Sequence, residues 1–360
     1  MIRKVFFICF IVLLTVIDLR AQTVNLVFVS DLHYGITRPH FRGRDSVPSY
    51  TVNNAMVQMI DTLPRIFFPA DKGVQAGKQV QLIKAIVVTG DIANRQEPPV
   101  QPATASWQQF IQDYQQTLHY PLLPVPGNHD VSNAIGSYKI LQPKQDATAI
   151  TGIYNLVMKQ PIKPAQFNFE KNKVNYSRDM GGVHLLFIQI WPDSANRLWM
   201  EKDLATVNPK TPVLLFVHDP PQGDVKHFIN PHGAHDMNAQ DKFENLVDER
   251  YKDTGNTSTL LEQQGLAGFL KKHPNIKAWF HGHENYCEMY DYKGPGGDLS
   301  LPVFRADSPM KGRDSRQDEY RLSLQVISFN QQQRRLTVRE LLWNLPNGKY
   351  GWGQQRTIQF

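Results

Sequence analysis

Cysteine is nearly absent: the 360 residues contain two, Cys9 and Cys287. Cys9 lies in an N-terminal leader, so the mature chain keeps one thiol and an intrachain disulfide framework is excluded. Apolar runs of bilayer length are also missing after the first twenty or so residues, which argues against an integral membrane span. Clustered basic charge is missing too. The formal charge of +6 is spread along the chain, and after the leader adjacent basic residues occur only as isolated pairs, such as Arg334-Arg335 in an expected hairpin turn. A nucleic-acid footprint needs basic residues gathered on one face, so no nucleic-acid partner is implied. No internal repeat is present, and the Gln-rich patches near Gln96 and Gln331 are too short to be low-complexity domains.

What is present begins with the leader. Arg3 and Lys4 precede an apolar run over 5–17, Asp18 closes it, and Ala21 offers a small residue before Gln22. That pattern reads as a cleavable secretory signal over 1–21, with an uncleaved anchor as the alternative. Its removal takes Arg3, Lys4, Arg20 and Asp18 and lowers the formal charge from +6 to +4. The expected location is therefore periplasmic or extracellular.

Five predominantly apolar runs follow, at 24–29, 83–88, 122–125, 213–217 and 276–280, with polar side chains only at Asn25, Lys84 and Lys277. Strands buried on both faces have this composition. Helical spacing fills the gaps: 104–118 carries Trp107, Phe110, Ile111 and Tyr114 behind Thr104 or Ser106 as a cap, and 194–207 and 258–272 are similar. Met180-Gly181-Gly182 predicts the turn of a hairpin joining 174–178 to 183–190, and 320–329 with 336–343 predicts a second hairpin near the C-terminus. The alternation implies a layered α/β architecture. Two segments, 39–81 and 220–256, look like insertions; the second is rich in His, Asp, Gly and Asn and predicts a loop over the site. His227, His232 and His235 within it are expected to be solvated loop residues, with a substrate or lid role as the alternative.

Each apolar run ends in polar residues: Ser30-Asp31-Leu32-His33, Thr89-Gly90-Asp91, Pro126-Gly127-Asn128-His129-Asp130, His218, and His281-Gly282-His283. The carboxyl ends of strands are where open α/β sheets bind ligands, and Asp, His and Asn are donors for divalent metals. Singly, each motif is commonplace. Their joint occurrence, in order and always at a strand end, is not.

In that order the motifs Asp31-x-His33, Gly90-Asp91, Gly127-Asn128-His129-Asp130, His218 and Gly282-His283 resemble the signature of the calcineurin-like metallophosphoesterases. The resemblance implies a four-layer α-β-β-α sandwich of two mixed sheets over 22–302. A C-terminal β-hairpin extension over 303–360 would complete the second sheet or be appended to it. It implies two divalent ions, drawn from Mn, Fe, Zn or Mg, and a small phosphoester substrate, either monoester or diester. Asp31 and His33 would hold the first ion, Asp91 would bridge, and Asn128, His218 and His283 would complete the second site. His129, oriented by Asp130, would donate to the departing oxygen.

The family's last motif is usually Gly-His-x-His, whereas this chain has Gly282-His283-Glu284-Asn285. Asn285 stands where the second histidine is expected, and an amide oxygen favours manganese, magnesium or iron over zinc. Three readings stay open there: Asn285 as a ligand, His281 as a replacement, or a site with one ion. A catalytically retired binding protein on this scaffold is the competing function. The residues Ile92-Ala93-Asn94 include no tyrosine, and His33 is present, so the chain resembles the phosphodiesterase and general phosphatase branches more than the purple acid phosphatases.

Overall fold

The computed structural model describes residues 23–94, 101–131, 147–158, 160–169, 171–224, 227–228, 247 and 258–360. The leader over 1–21, His232, His235 and most of 220–256 lie outside the described residues.

From the N-terminus, strand β1 (Val24–Val29) is followed by the hairpin β2 (Thr37–Phe41) and β3 (Arg44–Pro48), then helix α1 (Ser49–Thr62) and β4 (Ile83–Val88). Helix α2 (Ala103–Phe110) runs on as a π-helical stretch, Ile111–Thr117, before β5 (Leu122–Pro124), α3 (Asn128–Val131) and α4 (Thr148–Val157). The second half contains β6 (Tyr176–Met180), β7 (Val183–Phe187), α5 (Ser194–Leu204), β8 (Val213–Phe216), α6 (Ser258–Lys272) and β9 (Ile276–His281). Strands β10 (Glu288–Tyr292), β11 (Leu301–Arg305), β12 (Ser323–Asn330), β13 (Arg335–Leu345) and β14 (Lys349–Gln359) complete the chain.

Two six-stranded sheets result, in the orders β14-β13-β12-β1-β4-β5 and β10-β11-β9-β8-β7-β6. Both are mixed. In the first, β1, β4 and β5 run parallel while β12 joins β1 antiparallel. In the second, β7, β8, β9 and β11 run parallel between antiparallel edges β6 and β10.

The sheets bury their inner faces against each other. Phe28 of β1 meets Phe280 and Phe216 edge-on, with ring centroids at 5.6 and 6.4 Å. Across the second sheet, Tyr176, Phe187, Phe216, Phe280 and Phe304 stack on successive strands at 4.6 to 5.0 Å. Each such pair contributes about 0.5–1.5 kcal/mol beyond its buried area. On one outer face α1 seats Val52, Met56 and Ile60, spaced four residues apart, in the same core. On the other, Met200 and Leu204 of α5 pack with Leu266, Phe269 and Leu270 of α6 against Leu186, Leu215 and Trp279. The architecture is thus the expected four-layer sandwich. Among the described residues, no helix is long and apolar enough to cross a membrane.

Several expectations are corrected. The C-terminal extension does not complete the second sheet: β12 pairs along β1, from Val24↔Phe329 to Phe28↔Gln325, and so extends the first. The expected hairpin is present as β12 and β13, and β14 adds a third strand to it by pairing with β13. A boundary at 302 would cut β11, which pairs with β9 through Val303, Phe304 and Arg305. The helix expected over 104–118 starts at Ala103 behind Pro102, with no side-chain cap from Thr104 or Ser106. Proline holds φ at −58°, a value compatible with entry into the first turn, and the helix starts without a side-chain cap. The segment 39–81 carries β2, β3 and α1, and α1 forms an outer layer of the sandwich.

Candidate metal centre

The loops after β1, β4, β5, β8 and β9 are tied together by main-chain hydrogen bonds. Asp31 N donates to Gly90 O at 3.0 Å, His33 N to Asp91 O at 2.9 Å, and Gly282 N to His218 O at 3.1 Å. His218 Nδ1 lies 2.6 Å from Thr89 O, and His283 N donates to Asp31 Oδ2 at 2.9 Å. Gly90, at φ +94°, allows a close approach: a Cβ there would overlap the backbone of Gly127.

Several candidate ligands adopt left-handed backbone: Asp31 (φ 54°), His33 (φ 44°), Asp91 (φ 50°), His283 (φ 68°) and Asn285 (φ 58°). Non-glycine residues held there cost about 1–3 kcal/mol each and gather where function requires them. The reversal directs side chains from separate strand ends into one volume.

At its centre lies Asp91. Its Oδ2 is 3.7 Å from His33 Nε2 and 3.8 Å from His129 Nε2, while its Oδ1 is 3.5 Å from His218 Nε2. His33 Nε2 is also 3.8 Å from Asp31 Oδ1. On the other side, His218 Nε2 lies 3.1 Å from Asn128 Oδ1 and 3.2 Å from His283 Nδ1. Two clusters therefore share one carboxylate: His33, Asp91 and His129 on one side, and Asp31, Asp91 and His218 on the other.

The donor set fits divalent cations. Ligands placed about 2.0–2.2 Å from one ion stand about 3–3.6 Å from each other, close to the 3.1–3.8 Å spacings seen here. Asp31 Oδ1, His33 Nε2 and Asn285 Oδ1 are buried without a hydrogen-bond partner. Such atoms are rare in folded proteins, and an ion would satisfy them. Burial raises the Asp91 carboxyl, but the His218 and His33 rings and the Lys311 ammonium outweigh it and hold it at about 2. Burial, reinforced by Lys311, pushes His33 well below the usual imidazole range. An ionised carboxylate and a neutral imidazole are the forms that bind metal.

The structure brings Asp31, His33, Asp91, Asn128, His129, His218 and His283 together, as their positions at strand ends implied. Asn285 donates its Nδ2 to His283 O at 2.8 Å, which leaves its carbonyl oxygen as the available donor. His281 is committed elsewhere, to Gly282 O at 2.9 Å and to the Tyr290 hydroxyl at 3.2 Å. It belongs to none of the metal-competent groups among the described residues. Asp130 differs from expectation. Its carboxylate accepts from the backbone amides of Ile92, Ala93 and Gly127 at 3.0–3.2 Å, so it fixes the loop rather than the His129 ring. Burial and the Asp91 charge push its carboxyl up to about 7, against the pull of those amides.

Three residues beside the second cluster were not singled out as ligands or supports. Asp224 Oδ2 lies 2.9 Å from His283 Nε2, and Asp219 Oδ2 lies 2.6 Å from His227 Nδ1. His227 is 1% exposed and its ring stands 5.2 Å from that of His283, so it is not the solvated loop histidine expected. Burial depresses His283, but Asp219 and Asp224 overcome this and raise it to about 9, so a cation bound at Nδ1 would have to displace a proton there. Asp219 was legible as an acid directly after His218, and His227 was one of the loop histidines with a substrate or lid role as the alternative; nothing in the sequence marked Asp224. A carboxylate on Nε2 fixes the tautomer that leaves Nδ1 to a metal. Asp224→Asn should therefore weaken one bound cation by about ten- to a hundredfold in chelator competition. Unchanged affinity would reduce Asp224 to a loop anchor.

The calcineurin-like phosphoesterase family model matches residues 24–287. No curated protein matches the chain. Among solved structures, it is similar to zinc-complexed Vps29 from Entamoeba histolytica at 9% identity, over 93% of this chain and 99% of that one, with a TM-score of 0.32. It is similar to Vacuolar Protein Sorting 29 from Cryptosporidium parvum at 8% identity, over 94% and 99%, with a TM-score of 0.36. The phosphopantetheinyl hydrolase PptH from Mycobacterium tuberculosis shares 12% identity over 82% of this chain and 92% of that one, with a TM-score of 0.34. At these TM-scores the likenesses stand as resemblances only. The family match takes in every strand-end motif and most of the chain, which therefore belongs to the metal-dependent calcineurin-like phosphoesterases.

Proposed function

We propose that the protein hydrolyses a small phosphoester with two divalent cations. Asp31, His33, Asp91 and Asn285 would hold the first, and Asp91, Asn128, His218 and His283 the second. The observation that carries this reading is the position of Asp91, with His33 facing one oxygen and His218 the other. Bound cations would neutralise phosphoryl charge and lower the pKa of a water molecule. Asn285, an oxygen donor in place of imidazole, favours manganese, magnesium or iron over zinc.

The chain's own residues supply the proton chemistry. The main-chain N–H of His129 donates to Asp91 Oδ1 at 2.8 Å, and this fixes the ring at the lip of the cluster, half-buried. As a water oxygen bonds to phosphorus, the ester P–O bond breaks and its electron pair leaves with the alcohol oxygen. His129 donates a proton there and regains one from solvent, to which the attacking water gives up a proton. Asp130 holds the Gly127 and Ile92 amides, and with them the position of that ring. His129→Ala should lower kcat on 4-nitrophenyl phosphate by about 10²–10⁴-fold while cation content is unchanged. A fall of less than about threefold would remove His129 from the reaction.

Asn285 in place of the usual histidine is the observation that favours a second reading, a binding protein on the same scaffold. That protein would hold one cation or none and show no turnover. If the 1–21 leader acts as its composition implies, either protein works in the periplasm or outside the cell.

A further inference from the structure

The family match ends at 287, yet residues beyond it wall the metal centre. Strand β11 lies parallel to β9 in register Arg305↔His281, so it exits on the same sheet edge as His283. The turn that follows is fixed at many points. Ala306 N donates to His281 O at 3.0 Å, and the buried Ser308 hydroxyl donates to Asp31 O at 2.7 Å. Arg313 N donates to Asn285 O at 2.6 Å, and Gly312 N to Ser308 O at 3.1 Å. From the other side, the buried Arg38 guanidinium donates to Pro309 O at 2.8 Å and also to Ser315 O. The Lys311 amide donates to Ser308 Oγ at 2.9 Å, so the backbone of Lys311 is held by the same residue that touches Asp31.

From that fixed position the Lys311 side chain reaches the reaction side of the centre. Its Nζ donates to Asn94 Oδ1 at 3.2 Å and lies 3.5 Å from His129 Nε2. His129 Nε2 is in turn 3.8 Å from Asp91 Oδ2. An ammonium and an imidazole thus converge over the bridging carboxylate, on the side of His33. An ammonium is a compact cation with three donors, suited to a phosphoryl oxygen. Its attraction scales with ligand charge, so a dianionic phosphomonoester gains more from it than a monoanionic diester.

We propose that Lys311 binds a non-bridging phosphoryl oxygen beside the leaving oxygen served by His129, and that the preferred substrate is a phosphomonoester. This rests on the phosphoesterase reading. The test uses the manganese-loaded full chain, Lys311→Met and Lys311→Arg, with 4-nitrophenyl phosphate, bis(4-nitrophenyl) phosphate and inorganic phosphate as probes. In Lys311→Met, kcat/KM should fall about 30-fold on the monoester and about threefold or less on the diester, with much of the monoester loss regained in Lys311→Arg. Calorimetry should show inorganic phosphate binding weakened about tenfold in Lys311→Met at unchanged manganese content. Equal losses on both esters, or phosphate binding equal to wild type, would overturn the proposal. If wild type hydrolyses neither ester, the function fails and the phosphate titration still decides whether Lys311 is an anion site.

Discussion

Asp91→Ala is expected to abolish phosphoester turnover, by about 10⁴-fold or more, and to reduce bound manganese below one ion per chain. Two oxygens of one carboxylate face His33, His129 and His218 within 3.8 Å, and a methyl group replaces neither. The same carboxylate accepts the His129 amide, so the proposed proton donor would lose its anchor together with any bound cation. The fold should survive. The loops around Asp91 are held by main-chain bonds, such as His33 N to Asp91 O at 2.9 Å and Val125 N to Val88 O at 2.9 Å, which the substitution leaves in place. Circular dichroism and elemental analysis, read beside the nitrophenyl assay, separate loss of metal from loss of structure. Activity at the wild-type level would contradict the assignment.

Gly282→Ala should combine two losses. A Cβ at 282 would overlap Ser30 Oγ and Asp31 Oδ2, both packed at the end of β1. Ser30 and Asp31 are fully buried, so neither can move aside cheaply. Overpacking of this kind costs about 1–3 kcal/mol, which for a chain of this length corresponds to a melting temperature lower by about 1–4 °C. Displacing the Asp31 carboxylate also disturbs its bond from His283 N, so metal affinity should fall by about tenfold or more. The melting shift is best measured in chelator, where metal loss cannot contribute. Gly268→Ala is the control: it lies in α6 with no heavy atom within 4 Å of an added Cβ, and should be neutral or slightly stabilising. Equal behaviour of the two variants would refute the steric argument.

The sandwich was legible because its central strands are buried on both faces and read as predominantly apolar runs. β1 and β4 fall where the composition placed them, at Val24–Val29 and Ile83–Val88. β14 escaped because it is an exposed edge strand whose glycines and glutamines give no alternating pattern. Sheet membership of the C-terminal strands was hidden for another reason: a partner in β1 lies some 300 residues away, and apolar runs do not name their neighbours.

The candidate ligands were legible by residue type and by place, at strand ends. Their backbone was not. Left-handed φ at Asp31, His33, Asp91, His283 and Asn285 involves no glycine and so leaves no mark in the sequence. Asp130 follows His129 in the chain, but at the start of α3 its carboxylate turns to main-chain amides, a preference that adjacency alone does not reveal. Asp224 and His227 sit in aperiodic loop, and Lys311 meets His129 across 182 positions. Supporting residues of this kind are set by how loops pack, not by motif spacing.

Elemental analysis of the purified, manganese-loaded chain tests the central claim most directly. A cradle shared through Asp91 predicts close to two ions per polypeptide, retained through gel filtration. One ion or fewer in a well-folded preparation would contradict it.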